Sequence, residues 1–293
     1  MRLPQSSTSD ARAGEKEKDL LDLNDVHTGF AEIHGARLYY EVGGEGHSLL
    51  LLHAGVADSR MWDDQFGVCA QHYRVIRYDM RGFGKTVVPP GSFSHHEDAA
   101  GLLSFLGIEK AYILGVSLGG YVAIDFVLAY PEMVDALILS APNVSGYEPS
   151  SEEMRRFCAE EEQALDRGDL AIATELNLRM WVDGPNRTPD QVNPGVRERV
   201  REMQLHAFAL PVPEEVEEQS LSPPAITRLA EIQVPTLIIV GDQDVLEFIK
   251  ISDMMTAGVR NAKKVVIPGV AHLPSMEKPE LFNRIVLDFL RDR

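Results

Sequence analysis

The run Gly115-Val116-Ser117-Leu118-Gly119-Gly120 follows the apolar stretch Ala111-Tyr112-Ile113-Leu114 and opens another, Tyr121-Val122-Ala123-Ile124-Asp125-Phe126-Val127, so strand, turn and helix meet at one serine. A connection that tight forces the residue at its apex into a strained backbone. It also requires small residues at 115 and 119, because a side chain there would collide with the neighbouring strand or helix. Such a turn lifts the Ser117 hydroxyl out of the sheet and sets it at the positive end of the following helix. The spacing predicts Ser117 as a nucleophile; the plainer alternative is that it only caps the helix.

A serine is a weak nucleophile near neutral pH and needs a base, which in turn needs a group to orient it. Both are expected downstream. Val234-Pro235-Thr236-Leu237-Ile238-Ile239-Val240 reads as a buried strand ending in Gly241-Asp242-Gln243-Asp244, and Lys264-Val265-Val266-Ile267 leads through Pro268-Gly269 to Val270-Ala271-His272-Leu273-Pro274. His272 is the expected base. Asp244 is preferred to Asp242 as the acid, because a side chain several residues past the strand can turn back toward a histidine loop. The alternative for either carboxylate is a turn residue that satisfies nearby amides. The order serine, aspartate, histidine is the one found in α/β-hydrolases rather than in chymotrypsin or subtilisin.

Acyl transfer also needs donors aimed at the developing oxyanion. The buried strand Leu49-Leu50-Leu51-Leu52 runs into His53-Ala54-Gly55-Val56. The backbone amides of Leu118 and Gly55 are the expected pair, with Val56 as the alternative to Gly55. His53, at a strand end, is expected to bond adjacent loops rather than act as a second base.

With these motifs in place the chain resembles the α/β-hydrolase superfamily over about residues 29–291. The resemblance rests on His53-Ala54-Gly55, Tyr78-Asp79-Met80-Arg81-Gly82-Phe83-Gly84-Lys85, Gly115-Val116-Ser117-Leu118-Gly119-Gly120, Gly241-Asp242-Gln243-Asp244 and Gly269-Val270-Ala271-His272. Within the superfamily the chain is similar to the branch of 3-oxoadipate enol-lactonases, small carboxylesterases and related lactone or carbon–carbon bond hydrolases. Ala54 departs from it, standing where many relatives carry glycine. The resemblance implies a mostly parallel eight-stranded sheet flanked by helices, with Asp79 and Arg81 as supports of the fold. Dehalogenases and epoxide hydrolases of this fold need a carboxylate at the elbow, so a serine there implies an acyl-enzyme and a substrate with an acyl carbon. The alternatives are a ligand receptor on the same fold, or a variant that cleaves amides, as an aminopeptidase does, cleaves carbon–carbon bonds, or makes peracids.

The expected core spans residues 28–141 and 231–293, with buried strands alternating with amphipathic helices. Residues 142–230 break that rhythm with Glu- and Arg-rich helical stretches at 151–166, 169–181 and 195–209, and are expected to form a helical cap over the strands' carboxyl ends. Met180, Trp181, Met203, His206 and Phe208 are its candidate substrate contacts. Arg81, Arg155, Arg179 and Arg187 are the candidate partners for any substrate carboxylate.

A net charge of −17 argues against nucleic-acid and anionic-membrane partners. Residues 1–27 are polar, lack the apolar middle of a secretory signal, and are expected to be a disordered extension. Cys69 and Cys158 suggest no disulfide framework and fit a reducing cytoplasm. No cofactor or metal is expected, since no histidine–carboxylate cluster shows ligand spacing, and His95-His96 reads as a helix start. The expected partner is a small-molecule acyl substrate, taken by a monomer or homodimer.

Overall fold

Alternation inside the buried strands decides the layering. Leu50 and Leu52 join an apolar cluster with Val122, Phe126 and Leu102, whereas Leu49 and Leu51 join a second with Phe66, Phe282 and Val286. A strand whose successive side chains are buried on opposite faces must lie between two layers of helices.

The computed structural model describes residues 26–148, 151–291 and 293. Most of the polar extension expected over 1–27 lies outside the described residues, while His27 already belongs to the first strand. In chain order the strands are β1 (His27–Ile33), β2 (Ala36–Gly43), β3 (Ser48–Leu52), β4 (Arg74–Tyr78), β5 (Gly91–Phe93), β6 (Ala111–Val116), β7 (Val134–Ser140), β8 (Val216–Glu218), β9 (Thr236–Gly241) and β10 (Ala262–Ile267). The helices are α1 (Asp63–Ala70), α2 (His95–Phe105), α3 (Leu118–Ala129), α4 (Glu152–Asp166), α5 (Leu170–Asn177), α6 (Pro194–Ala209), α7 (Leu246–Gly258), α8 (Pro274–Glu277) and α9 (Pro279–Leu290).

Eight strands form one sheet in the order β1-β2-β4-β3-β6-β7-β9-β10. β2 pairs antiparallel with β1 and with β4, and every other pairing in the sheet is parallel. Every residue of β3, β6 and β9 is buried, as continuous apolar runs in a parallel sheet require. The edge strand β10 is only partly covered and carries Lys263 and Lys264, charges that discourage pairing with another chain. Among the described residues no helix is long and apolar enough to cross a membrane.

The helical insertion α4–α6 leaves the sheet after β7 and returns before β9. Two of its features escape the sequence pattern. The helix expected over 169–181 stops at Asn177, and Leu178–Asp183 continues as a π-helix. A wider turn of this kind re-phases the side chains that follow and is common at functional sites. The three-residue strands β5 and β8 pair in parallel and tie the end of the insertion to the loop after β4.

His95 opens α2, as expected of the His95-His96 pair, and is buried with an Nδ1 that has no partner among the described residues. Burial is the main cause that pulls its pKa down from 6.5 to about 3. Between those values the unfolded chain holds a proton that the folded chain does not, so stability falls as the pH drops below 6.5 and levels off near 3. A gap of that size amounts to on the order of 5 kcal/mol. His95→Leu is expected to keep stability at pH 7 within about 1 kcal/mol. It should also lower the midpoint of acid unfolding, followed by circular dichroism; an unchanged midpoint would show that His95 does not drive the transition.

Candidate active site

The elbow at Ser117 is built from the outside in. Ser117 N donates to Ser140 O of β7 at 2.9 Å, while Ser117 O accepts from Tyr121 N at 2.9 Å and so starts α3. Pinned from both sides, Ser117 adopts φ 53° and ψ −110°, a conformation a non-glycine residue rarely holds. A Cβ on Gly115 would overlap the backbone of Gly119, and one on Gly119 would overlap the Leu52 carbonyl. These are the close approaches that the small residues at 115 and 119 predict. The Ser117 side chain makes no capping bond to α3.

His272 reaches the same place from the other end of the chain. Its Nδ1 lies 3.1 and 3.0 Å from Oδ1 and Oδ2 of Asp244. Since a carboxylate only accepts, Nδ1 carries the proton. The other ring nitrogen, Nε2, is buried and has no hydrogen-bond partner among the described residues, the Ser117 hydroxyl included. Both side chains are at most 2% exposed. Asp244 Oδ1 also accepts from Val245 N at 2.7 Å, so the start of α7 holds the carboxylate in place. Asp242 instead accepts from Gly269 N at 2.6 Å and from Gln243 Nε2, the turn role that had been the alternative for either acid.

The two expected oxyanion donors are neighbours. A Cβ built on Gly55 would stand 3.6 Å from Leu118 Cβ. Leu118 is the first residue of α3, where an N–H has no acceptor within the helix. Ser117, His272, Gly55 and Val56 line one cavity of about 210 Å³ with Phe157, Glu161, Asn177 and Trp181.

Four of the expected substrate contacts lie elsewhere. Of the five, Trp181 lines this cavity; Met180 is buried at a separate cavity beside Phe157 and Arg179. Met203 is packed into the apolar cluster beneath α6, and Phe208 is half-buried. His206 bonds Gly84 O through Nε2 at 2.8 Å and borders a larger cavity of about 460 Å³, which none of Ser117, Asp244 and His272 lines. Size and aromaticity along a helix select residues that fill space, and most of these fill the interior. Phe157, Glu161 and Asn177 were not singled out from the sequence. Their signal was the four-residue spacing that sets Phe157 and Glu161 on one face of α4, and Asn177 one helical turn before Trp181.

Trp181 is the link between insertion and site. Its ring centroid lies 4.7 Å from that of His272 and 5.3 Å from that of Phe157, and Phe248 approaches His272 at 4.4 Å. Trp181 O accepts from His272 N at 3.3 Å, and Trp181 Nε1 donates to Asn177 Oδ1 at 3.1 Å. Asn177 Nδ2 in turn donates to Glu161 Oε1 at 2.5 Å. Burial raises the Glu161 carboxyl above its ordinary range, against the lowering effect of the Asn177 amide.

The remaining polar residues brace these loops. His53 bonds Ala54 O through Nδ1 and accepts from Met80 N through Nε2, which occupies both nitrogens in the bonding of adjacent loops. Asp79 accepts from Ser59 N and Lys85 N, and Arg81 pairs with Asp98 at 2.6 and 2.7 Å. Arg187 pairs with Glu277, whose Oε1 accepts from Ala271 N next to His272. Asp183, fully buried at the end of the π-helix, receives Arg197 at 2.7 Å and Arg179 at 3.1 Å.

A family model described as the alpha/beta hydrolase fold matches residues 47–279, so the chain belongs to that family and is a hydrolase. It is 27% identical over 283 residues to a 2-hydroxy-6-oxo-6-phenylhexa-2,4-dienoate hydrolase of Comamonas testosteroni, covering 87% of this chain and 92% of that one. A solved thermophilic esterase of Thermogutta terrifontis superposes with a TM-score of 0.74 at 26% identity, covering 91% and 98% of the two chains. The enol-lactonase of Burkholderia xenovorans LB400, at 21% identity and a TM-score of 0.73 over 89% of this chain and 99% of that one, shares the fold.

Removing one partner of a buried ion pair leaves the other charge stranded. Asp183→Ala is expected to cost about 3 kcal/mol in urea unfolding, toward the low end because Arg197 keeps Glu175. A loss below about 1 kcal/mol would show that the insertion is held by other contacts.

Proposed function

We propose that the protein is a serine hydrolase that cleaves a small ester or lactone through an acyl-enzyme. The observation that carries this reading is the His272 imidazole, anchored to Asp244 through Nδ1 with Nε2 buried and unpartnered, on the cavity that Ser117 also lines. Ser117 Oγ attacks the acyl carbon and gives its proton to His272 Nε2, while Asp244 fixes the tautomer and stabilises the imidazolium. The amides of Leu118 and Gly55 receive the negative charge on the carbonyl oxygen. Collapse of the tetrahedral intermediate expels the alcohol oxygen, which takes the proton from His272. Water then loses a proton to His272 as it attacks the acyl-enzyme, and the carboxylic acid leaves with Ser117 restored. Residues 142–230 act in this reading as a cap that closes the site. The cavity lies below the 300–1,000 Å³ usual for ligand pockets, which favours a short substrate.

The relationship to the Comamonas enzyme raises carbon–carbon bond cleavage of a dienoate as a rival. A dienoate carries a carboxylate, which calls for a cationic partner. Among the described residues, those lining the cavity include no lysine or arginine. Arg81, Arg155, Arg179 and Arg187 pair with Asp98, Glu152, Asp183 and Glu277 respectively. The lining therefore favours an ester or lactone without a free carboxylate.

Short p-nitrophenyl esters test the reading. Ser117→Ala and His272→Ala should each lower kcat by about 10⁶, and Asp244→Asn by about 10⁴. Hydrolysis that survives Ser117→Ala at the parent rate would end this account.

A further inference from the structure

Glu161 has no task in the hydrolysis of a plain ester, yet it stands in the same small cavity as Ser117 and His272. Among the described residues its only partner is the Asn177 amide, on Oε1; Oε2 has none. Glu161 is partly buried, and burial raises its carboxyl above the ordinary range. The surrounding side chains do nothing to neutralise it. Phe157 and Trp181, whose ring planes meet at 83°, line the same cavity, and among the described residues no lysine or arginine does. Aromatic rings beside one carboxylate make up the environment that attracts an organic cation, because ring quadrupole and carboxylate act with the same sign. A structural role alone, orienting Asn177 and through it Trp181, would be met as well by a neutral glutamine.

We infer that Glu161, with Phe157 and Trp181, selects esters that carry a quaternary or protonated ammonium group close to the scissile bond. The inference rests on the serine-hydrolase reading above and adds a substrate class to it. Glu161 is a specificity residue in this scheme and takes no part in bond making.

The test compares esters of equal shape that differ in charge: acetylcholine with 3,3-dimethylbutyl acetate for the alcohol side, and p-nitrophenyl 4-(trimethylammonio)butanoate with p-nitrophenyl 5,5-dimethylhexanoate for the acyl side. Quaternary ammonium keeps its charge at any pH, so the ratio of kcat/KM within a pair isolates the cation. The parent protein is expected to favour the cationic member of at least one pair by about tenfold, the equivalent of about 1.4 kcal/mol. Glu161→Gln should bring that ratio close to one. A ratio of one or less in both pairs for the parent protein, with Ser117-dependent hydrolysis of the neutral esters intact, overturns the inference and leaves the serine-hydrolase reading standing. A cationic preference that Glu161→Gln leaves unchanged overturns it too. Failure of the parent protein to hydrolyse any of the four esters, or hydrolysis that survives Ser117→Ala, overturns the reading beneath it and the inference together.

Discussion

A buried imidazole nitrogen without a partner costs free energy, and this fold keeps one at His272 Nε2. The rest of the site can be understood as the means of holding that nitrogen where it is. Asp244 secures the opposite side of the ring, and Trp181 and Phe248 pack against it. Glu277 holds the preceding backbone through Ala271 N. Each contact removes a way for the ring to rotate and satisfy Nε2 elsewhere. In the proposed mechanism a ring so confined accepts a proton without reorganising, as a general base must.

The sheet supplies the second half of the arrangement. Parallel strands all end on the same edge, so β6, β7 and β9 deliver their following turns to one side of the molecule. Ser117 follows β6 and Asp244 follows β9, while the loop after β10 brings His272 to Asp244 and to the cavity that Ser117 lines. Strain at Ser117 is sustained because its backbone is bonded to β7 on one side and to α3 on the other. In the insertion, Asp183 with Arg197 and Arg179 fixes the π-helical turn from which Trp181 reaches His272.

How much of this was legible in the sequence depended on the kind of signal. Apolar runs bounded by turn residues fixed β3, β6 and β9, because burial on both faces leaves a continuous trace along the chain. The elbow was legible for a steric reason: glycines at 115 and 119 leave few other backbones possible. That Asp244 rather than Asp242 meets His272 follows from reach alone. The cavity lining was harder, because helical periodicity states that a face is buried without stating against what. Met203 and Met180 are buried as their character demands, but away from Ser117. Glu161 sits among many carboxylates of a solvated helix and is distinguished only by what the fold brings opposite it. The π-helical turn and the β5–β8 ladder depend on pairings far apart in the chain, which local patterns do not encode.

The most direct test of the central claim, that folding makes Ser117 the reactive hydroxyl beside His272, is labelling with a fluorophosphonate followed by mass mapping of the adduct. The account predicts one adduct per chain, on the peptide that contains Ser117, and its loss when His272 is replaced by alanine. An adduct on another residue, or labelling of Ser117 at an unchanged rate without His272, would contradict it.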